Sequence, residues 1–284
     1  MQAKTILPHL DDVGVSAGSV IAWQALRKAG VVRSASVMVP CPYYPFVVED
    51  YRNDPGQDLG IHVTLTSEWN RYRWRPLIGP QRGLVDQEGF FHHRPEAVVA
   101  NADPSAVEDE ICAQIERALT DGIRPTHLDA HMGTAFLPPF IERLWDIATR
   151  YRLPLPLCRN LSGLFAIVGL PEADVGRIRE LAAEARRRGD PVFDEFLIGF
   201  TPEGEPAAAF LSAMVAAAPT GLHWLALHAN APDDTHVLAP HMVWPRQEEY
   251  RLFSNPESAS VFAGCNVVNW PDLTAQEGSV ACAR

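Results

Sequence analysis

Short apolar runs rich in β-branched residues alternate along this chain with amphipathic segments whose apolar positions recur at helical spacing. The runs predict strands, and the segments between them predict helices. Predicted strands cover residues 4–10, 31–39, 59–66, 125–133, 153–157, 223–228 and 267–270. Predicted helices cover residues 17–30, 44–53, 105–120, 138–150, 172–188, 205–217, 245–252 and 258–262. This alternation predicts an α/β fold with a parallel sheet and crossover helices.

At 284 residues, the leading architecture is an irregular (β/α) TIM-like barrel formed by a single domain over residues 1–284. Residues 67–95 interrupt the alternation with an insertion that contains several aromatic and arginine side chains. A loop of this length in a compact domain is typical of a functional segment. Ser16 is the predicted N-cap of the helix over residues 17–30, and Gly30 is its predicted end.

Composition and charge indicate which binding partners and which cellular location to expect. The net charge of −11 argues against a nucleic-acid or anionic-membrane partner. The five cysteines are scattered and lack C-x-x-C spacing, which favours reduced thiols over a disulfide framework or a zinc–thiolate site. No apolar stretch approaches the ~20 residues that span a bilayer, and no apolar signal region stands at the N-terminus. These features predict a cytoplasmic location.

The segment over residues 125–133 carries His127, Asp129 and His131 at alternate positions. Because side chains of a strand alternate between its two faces, all three would share one face if the segment is extended. Pro125 favours extended geometry in the residue before it. Taken alone, the pattern is equally typical of a polar strand end, so its meaning depends on partners elsewhere in the chain.

Several polar residues stand at or near the C-terminal ends of predicted strands, where (β/α) barrels place their sites. The set comprises Asp11, Asp12, His62, His127, Asp129, His131, Arg159 and His228. One carboxylate and two imidazoles around a divalent ion, with positions left for water, form a hydrolytic metal site. A nearby carboxylate would take the proton of the activated water, and a second group would protonate a leaving amine.

Each of these residues alone also has a structural explanation. Asp11 and Asp12 are typical of a turn or a helix cap, and His62 is typical of a core or edge histidine. The joint pattern is informative because a barrel would bring the residues onto one rim. Nitrogen ligands suit Zn, Co or Ni, whereas Mg prefers oxygen ligands.

Three stretches of the chain resemble the YdjC-like carbohydrate deacetylases. Residues 9–16, HLDDVGVS, are similar to the family's N-A-D-D-F-G-L-S, and residues 59–66, LGIHVTLT, to its L-G-x-H-x-T-L-T. Residues 125–131, PTHLDAH, are similar to its P-T-H-L-D-S-H. Weaker similarity covers residues 227–230, where the family has a late C-H-P, and residues 246–256, where it has an arginine helix and a Ser-Pro-Glu turn. The resemblance therefore extends over most of the chain.

The resemblance implies a distorted TIM-like barrel that uses one divalent metal ion. The implied reaction removes an N-acetyl group from an amino sugar or a short N-acetylated oligosaccharide. The implied metal ligands are Asp12, His62 and His131. The implied general base is Asp11, and the implied general acid is His228.

The same resemblance makes His127, Asp129 and Arg159 orienting or substrate-contacting groups. It leaves the ion open among Zn, Mg, Co and Ni. The implied partner is a small-molecule carbohydrate, and a homodimer is left open. The aromatic side chains of residues 67–95 either stack on sugar rings or form an ordinary packed flap.

Departures from the family pattern keep two alternatives open. His9 stands where the family has Asn, and Val13 stands where it has Phe. No proline follows His228 directly. Residues 8–12, PHLDD, superficially resemble the P-H-P-D-D motif of LmbE-like zinc deacetylases, in which case His9 and not His62 would be a ligand. The second alternative is a non-catalytic sugar-binding barrel.

Overall fold

The structure is a computed structural model that describes residues 4–160 and 172–278. Within these residues the strands are β1 Lys4–Val13, β2 Ser34–Val37, β3 Asp58–Val63, β4 Leu128–Ala130, β5 Cys158–Asn160, β6 Phe193–Leu197, β7 Gly221–Leu227 and β8 Asn266–Val267. All ladders between these strands are parallel. The strand order is β4-β3-β2-β1-β7-β6-β5, and β8 pairs with β1 outside this path.

Helices follow the strands and cover the outside of the sheet. They are α1 Ala17–Ala29, α2 Tyr44–Asn53, α3 Pro95–Asn101, α4 Pro104–Thr120, α5 Ile141–Tyr151, α6 Glu172–Arg188, α7 Ala207–Ala217, α8 Thr235–Leu238, α9 Val243–Phe253 and α10 Trp270–Gly278. Short 3-10 helices cover His131–Phe136, Pro240–Met242 and Pro256–Phe262. The predicted limits of α1 are confirmed, because Ser16 forms a capping box and Gly30 takes a left-handed φ of 81°.

The sheet is a curled half-barrel of seven strands within one α/β domain. No strand ladder joins β4 to β5 in the part of the chain that the structure describes. The backbone N–H of Leu128 in β4 donates to the carbonyl of Pro154, shortly before β5, at 3.0 Å. The predicted α/β class and parallel sheet are confirmed, and strand pairing by itself does not close a full barrel.

Several predicted boundaries differ from the structure. The first strand continues through Asp11 and Asp12, beyond its predicted end at residue 10. The strand β4 is limited to Leu128–Ala130, within the predicted residues 125–133. The strand β6 was not predicted, since its sequence FDEFL has no clear alternation. Its acidic side chains pair with neighbouring strands, for example Asp194 with Arg159 at 2.7 Å. Such pairing partners are distant in sequence, so local patterns do not reveal them.

Aromatic rings fill the sheet interior below the C-terminal ends of the strands. Trp224 and Trp270 are fully buried, with ring centroids 5.9 Å apart. His127 stacks on Trp270 at 4.9 Å, and His9 lies 4.1 Å from Trp224. These rings close the lower interior, so the space that remains for a ligand lies at the C-terminal rim.

The insertion over residues 67–95 packs against the rest of the molecule. Trp74 is 2% exposed, and its indole N–H donates to the carbonyl of Thr66 at 2.7 Å. The buried Glu110 of α4 accepts hydrogen bonds from the backbone N–H groups of Leu77 and Ile78 at 3.1 and 3.2 Å. The insertion is therefore a packed flap beside the rim.

None of the helices within residues 4–160 and 172–278 is long and apolar enough to cross a bilayer.

Candidate active site

A cavity of about 680 Å³ opens at the C-terminal ends of the parallel strands. Six of the residues predicted for the site line it: Asp11, Asp12, His62, Asp129, His131 and His228. They come from the ends of β1, β3, β4 and β7, or directly follow these strands. The expectation that strand ends bring these side chains together is met for these six residues. The other two predicted residues, His127 and Arg159, do not border the cavity.

Asp11 and Asp12 are adjacent in sequence, yet both line the cavity. In a regular strand they would face opposite sides of the sheet. The register between β1 and β2 shifts between Leu10 and Val13, and Asp12 takes a left-handed φ of 62°. Such a bulge adds a residue to the strand and redirects its side chain, and Asp is among the residues that tolerate positive φ. The bulge therefore brings both carboxylates to one side.

Asp12, His62 and His131 converge at one point of the cavity. Asp12 Oδ1 lies 3.3 Å from His62 Nε2 and 3.0 Å from His131 Nδ1. One ligand atom from each residue lies within 4.8 Å of the other two, so a single ion can contact all three. All three residues are buried. One oxygen and two nitrogen donors with room for further ligands form a donor set that fits a divalent metal ion.

Carboxylates hold both imidazoles through their second nitrogen. His62 Nδ1 lies 2.9 Å from Asp129 Oδ1, and His131 Nε2 lies 2.9 Å from Glu68 Oε2. Ser36 donates its hydroxyl to the other oxygen of Asp129 at 2.8 Å. Carboxylates in this position fix the orientation of metal-binding imidazoles and raise their basicity. The surroundings of the three residues thus also fit a metal centre.

The negative charge around these residues favours a cation. Burial lowers the pKa of His131, but the Glu68 and Asp12 carboxylates outweigh burial and raise it to about 9. Burial also lowers the pKa of His62, and the carboxylates of Asp129 and Asp12 raise it well above its ordinary value. The two imidazoles therefore hold protons where a metal ion would supply the positive charge. Metal binding must release these protons, which makes metal affinity depend on pH.

Arg246 of α9 keeps Asp12 ionised. Its Nη2 donates to Asp12 Oδ2 at 2.6 Å, and its side chain is buried. Burial raises the pKa of Asp12, but the charges of Arg246 and His131 outweigh this effect and hold the pKa well below its ordinary value. Because Arg246 takes Oδ2, the other oxygen remains directed at the imidazoles.

Asp11 and His228 face each other beside the metal-binding residues. Asp11 Oδ2 lies 3.8 Å from His228 Nε2, and Asp11 Oδ1 is buried without a hydrogen-bond partner. Burial raises the pKa of Asp11 well above its ordinary value, against the opposing charge of His62. Burial lowers the pKa of His228 to about 3, so its imidazole is neutral at pH 7. A carboxyl group and a neutral imidazole at this separation can exchange a proton after a small approach.

His9 and His127 lie deeper in the interior of the sheet. Both are fully buried, and His9 contacts two serine hydroxyls at 2.9 and 3.1 Å. His127 Nε2 has no hydrogen-bond partner. Together with Asp129 these histidines form a second group that could hold a metal. Neither ring borders the cavity, whereas Asp129, the third member of this group, does.

Arg159 points away from the cavity. Its Nη1 pairs with Asp194 Oδ1 of β6 at 2.7 Å, and its side chain is 48% exposed. The preceding residue, Cys158, lines the cavity. Since neighbouring side chains of a strand alternate between faces, the inward position of Cys158 accounts for the outward direction of Arg159.

Three residues that contact the site were not among the predicted ones. Glu68 lies two residues after the predicted strand over residues 59–66, so the strand-end rule applied to the other residues could have found it. Arg246 and Glu249 lie on α9, whose sequence resembles that of a solvent-facing helix. They are nevertheless 5% and 0% exposed, and Glu249 accepts a hydrogen bond from the backbone N–H of His228 at 2.5 Å. The resemblance of residues 246–256 to the family's arginine helix is a signal for Arg246, but hydrophobic spacing distinguishes neither residue.

Comparisons with known proteins match nearly the whole chain. A family model described as YdjC-like protein matches residues 6–263. A carbohydrate deacetylase of Thermus thermophilus is 32% identical over 268 residues, which cover 94% of this chain and 92% of that protein. Carbohydrate deacetylase 1 of Listeria innocua is 35% identical over 129 residues, which cover 44% of this chain and 50% of that protein.

A solved structure shares the fold. The crystal structure of a putative cellobiose-phosphate cleavage protein from Enterococcus faecalis superposes with a TM-score of 0.75 at 22% identity. The match covers 95% of this chain and 99% of that one. The family match and the similarity to the Thermus protein both extend over most of the sequence, and the chain belongs to the YdjC-like family.

Proposed function

We propose that this protein is a metal-dependent hydrolase that removes the N-acetyl group from an amino sugar or a short N-acetylated oligosaccharide. The observation that carries the proposal is the convergence of Asp12, His62 and His131 beside Asp11 in one open cavity. The names of the relatives, carbohydrate deacetylases, support the substrate class. The small-molecule sugar would enter from the open C-terminal rim.

Asp12, His62 and His131 would hold the ion. When bound, a divalent ion lowers the pKa of a water molecule and polarises the amide carbonyl of the substrate. Two nitrogen donors and one oxygen donor suit Zn, Co or Ni. Mg remains the alternative, although Mg prefers oxygen ligands. Asp129 acts by orienting His62 rather than by touching substrate. Arg246 keeps the Asp12 carboxylate ionised.

Asp11 is the proposed general base. It lines the same cavity as the proposed ligands and lies outside the group formed by Asp12, His62 and His131, although with His62 and Asp129 it forms another group that could hold an ion. Burial raises the pKa of Asp11 well above its ordinary value, so this carboxylate holds a proton more readily than an exposed aspartate does. Asp11 takes a proton from the attacking water and holds it next to His228.

His228 is the proposed general acid. Because burial keeps its imidazole neutral at rest, His228 can act as an acid only after it takes up a proton. The neighbouring source is Asp11, with 3.8 Å between Oδ2 and Nε2, and the negative charge that develops on the reacting substrate would favour this uptake. His228 then protonates the nitrogen of the leaving amine. Glu249 fixes the backbone of His228 at the end of β7. The roles of His127 and Arg159 as substrate contacts stay predictions, since neither side chain borders the cavity.

Acetate release and metal content test the proposal together. The purified chain should contain about one divalent ion and release acetate from N-acetylated sugars, and a chelator should abolish the activity. Asp11→Asn should lower kcat by a factor of about 10² to 10⁴, the usual contribution of a general base, while metal content stays unchanged. Full activity of Asp11→Asn would remove the base assignment.

Two further variants separate this proposal from an LmbE-like site. His62→Ala should lose the bound ion, whereas His9→Ala should retain it, because His9 lies outside the cavity. Loss of metal in His9→Ala with retention in His62→Ala would favour the LmbE-like arrangement. Sugar binding measured by calorimetry without acetate release would instead favour a non-catalytic barrel.

A further inference from the structure

His9 lies below Asp11 on the inner face of β1. The two residues are two positions apart in the strand, so their side chains share one face. His9 pairs in register with Ser34 of the neighbouring β2, and its imidazole contacts the hydroxyls of Ser34 and Ser36 at 2.9 and 3.1 Å. The proposed reaction assigns no task to this fully buried ring.

The Nε2 edge of His9 faces two buried carboxylates. Nε2 lies 3.5 Å from Asp11 Oδ1 and 3.3 Å from Asp129 Oδ2. Asp11 and Asp129 belong, with His62, to a group whose ligand atoms lie within 4.8 Å of one another. Two carboxylates this close repel each other when both are ionised, and an N–H that points between them offsets this repulsion.

The surroundings of His9 determine which ring nitrogen carries the proton. Burial lowers the pKa of His9, so the ring is neutral at pH 7 and has a single N–H. Ser36 donates its hydroxyl proton to Asp129 at 2.8 Å, so at Nε2 both the serine oxygen and the carboxylate are acceptors. The N–H therefore belongs on Nε2, and the hydroxyl of Ser34 donates to Nδ1.

Asp11 depends on this N–H more than Asp129 does. Asp129 is already held through both oxygens, by contacts of 2.9 and 2.8 Å to other side chains. Asp11 Oδ1 is buried without a hydrogen-bond partner, whereas its Oδ2 faces His228. The Nε2–H of His9 faces this unpartnered oxygen, and a small approach would shorten the 3.5 Å between them to a hydrogen bond.

We propose that His9 is a positioning residue for the general base: its Nε2–H holds Oδ1 of Asp11, so that Oδ2 is the oxygen that takes the proton from the attacking water. The inference rests on the proposed function, because it uses the role of Asp11 as the base. His9 does not line the cavity, so it acts through Asp11 without meeting the substrate.

Two substitutions of similar size separate the N–H donor from the bulk of the ring. Gln reaches about as far as His and keeps an N–H donor, whereas Met has a similar length and no N–H donor. We expect His9→Met to lower kcat about 10- to 100-fold, the usual effect of losing an outer contact at such a site, with KM unchanged. His9→Gln should retain most of the parent kcat.

The full chain, loaded with Zn²⁺, is assayed for acetate release from N-acetylglucosamine, N-acetylgalactosamine and N,N′-diacetylchitobiose. The value of kcat is calculated per bound zinc ion, so a reduced active fraction does not alter it. Equal kcat in His9→Met and the parent, or equal losses in His9→Met and His9→Gln, overturn this inference and leave deacetylation standing. Absence of acetate from every compound with the parent overturns the proposed function, and this inference with it.

A double variant tests whether His9 acts through Asp11. In Asp11→Asn the base is already absent, so adding His9→Met should change the residual kcat by less than about twofold. A purely structural effect of His9→Met would persist in this background. The same fold loss in the Asp11→Asn protein as in the parent would therefore contradict the proposal.

His223 of β7 provides the matched control. It is also 0% exposed, its Nε2 contacts the carbonyl of Pro219 at 2.9 Å, and it does not line the cavity. His223→Met removes a buried imidazole from the same sheet and should keep the parent kcat per bound zinc ion. A loss of kcat in His223→Met as large as that in His9→Met would refute a specific role for His9.

Discussion

Asp129 and Glu68 are carboxylates that contact the proposed metal-binding histidines without belonging to the proposed ligands, and loss of the Asp129 carboxylate should weaken metal binding more. Asp129→Asn keeps the shape of the side chain but removes the charge that lies 2.9 Å from His62 Nδ1. Loss of such an outer contact lowers metal affinity 10- to 100-fold, or by about 1.4 to 2.7 kcal/mol. The Asp129 side chain is 6% exposed, so water does not replace its charge, and we expect a loss near the upper end of that range.

Glu68→Gln is the matched comparison. Glu68 makes the equivalent contact to His131 Nε2 at the same distance of 2.9 Å, but its side chain is 22% exposed. Solvent screens the Glu68 charge more, so we expect this variant to lose less than about tenfold in affinity. The dissociation constant for Zn²⁺ is measured by competition with a chromophoric chelator at one pH and salt concentration, and melting of the metal-free proteins controls for folding. Unchanged affinity in Asp129→Asn, or a larger loss in Glu68→Gln, would refute the reasoning.

Two predictions concern stability. A Cβ at Gly60 would lie 2.3 Å from Nε2 of His127, whose ring is held against Trp270. Gly60→Ala should therefore lower the free energy of unfolding by about 1–3 kcal/mol in urea titrations. The control Gly176→Ala, whose added Cβ meets no atom within 4 Å, should not lower it, and equal effects of the two variants would contradict this packing argument. Burial raises the pKa of Glu110 from 4.5 to about 7, so the folded state binds more protons than the unfolded state in this window, and stability falls as pH rises through it. Between pH 5 and pH 8 the free energy of unfolding of the parent should fall by about 2 kcal/mol relative to that of Glu110→Gln. If the free energies of unfolding of the two proteins change with pH in parallel, the raised pKa of Glu110 is excluded.

The rim of the sheet could be predicted because two local rules agree. Alternation of side chains gave Asp129 its face in the strand, and the position of His62 near a strand end gave it the same rim, since parallel strands end on the same side of a sheet. Hydrophobic spacing and two local end signals, the cap at Ser16 and the end at Gly30, were sufficient for α1. These features depend only on residues a few positions apart.

Other features depend on contacts between distant parts of the chain. His131 was expected to continue a strand but begins a 3-10 helix, and its ring reaches the proposed site through the turn that follows β4. His127 shares the alternation of Asp129 but lies one layer deeper, where Trp270 covers it. Arg246 reaches Asp12 across the sequence from α9. No periodicity within a segment encodes these contacts.

The bulge at the end of β1 has a consequence for how the two adjacent acids differ. Both positions carry the same residue type, so their side-chain chemistry cannot assign them separate tasks. The backbone assigns them instead, since only position 12 of the two adopts the left-handed conformation that a branched or bulky residue resists. Position 11 keeps strand geometry, so its backbone accepts other residue types, and it is the place to redesign proton transfer while Asp12, His62 and His131, the proposed ligands, are left unchanged.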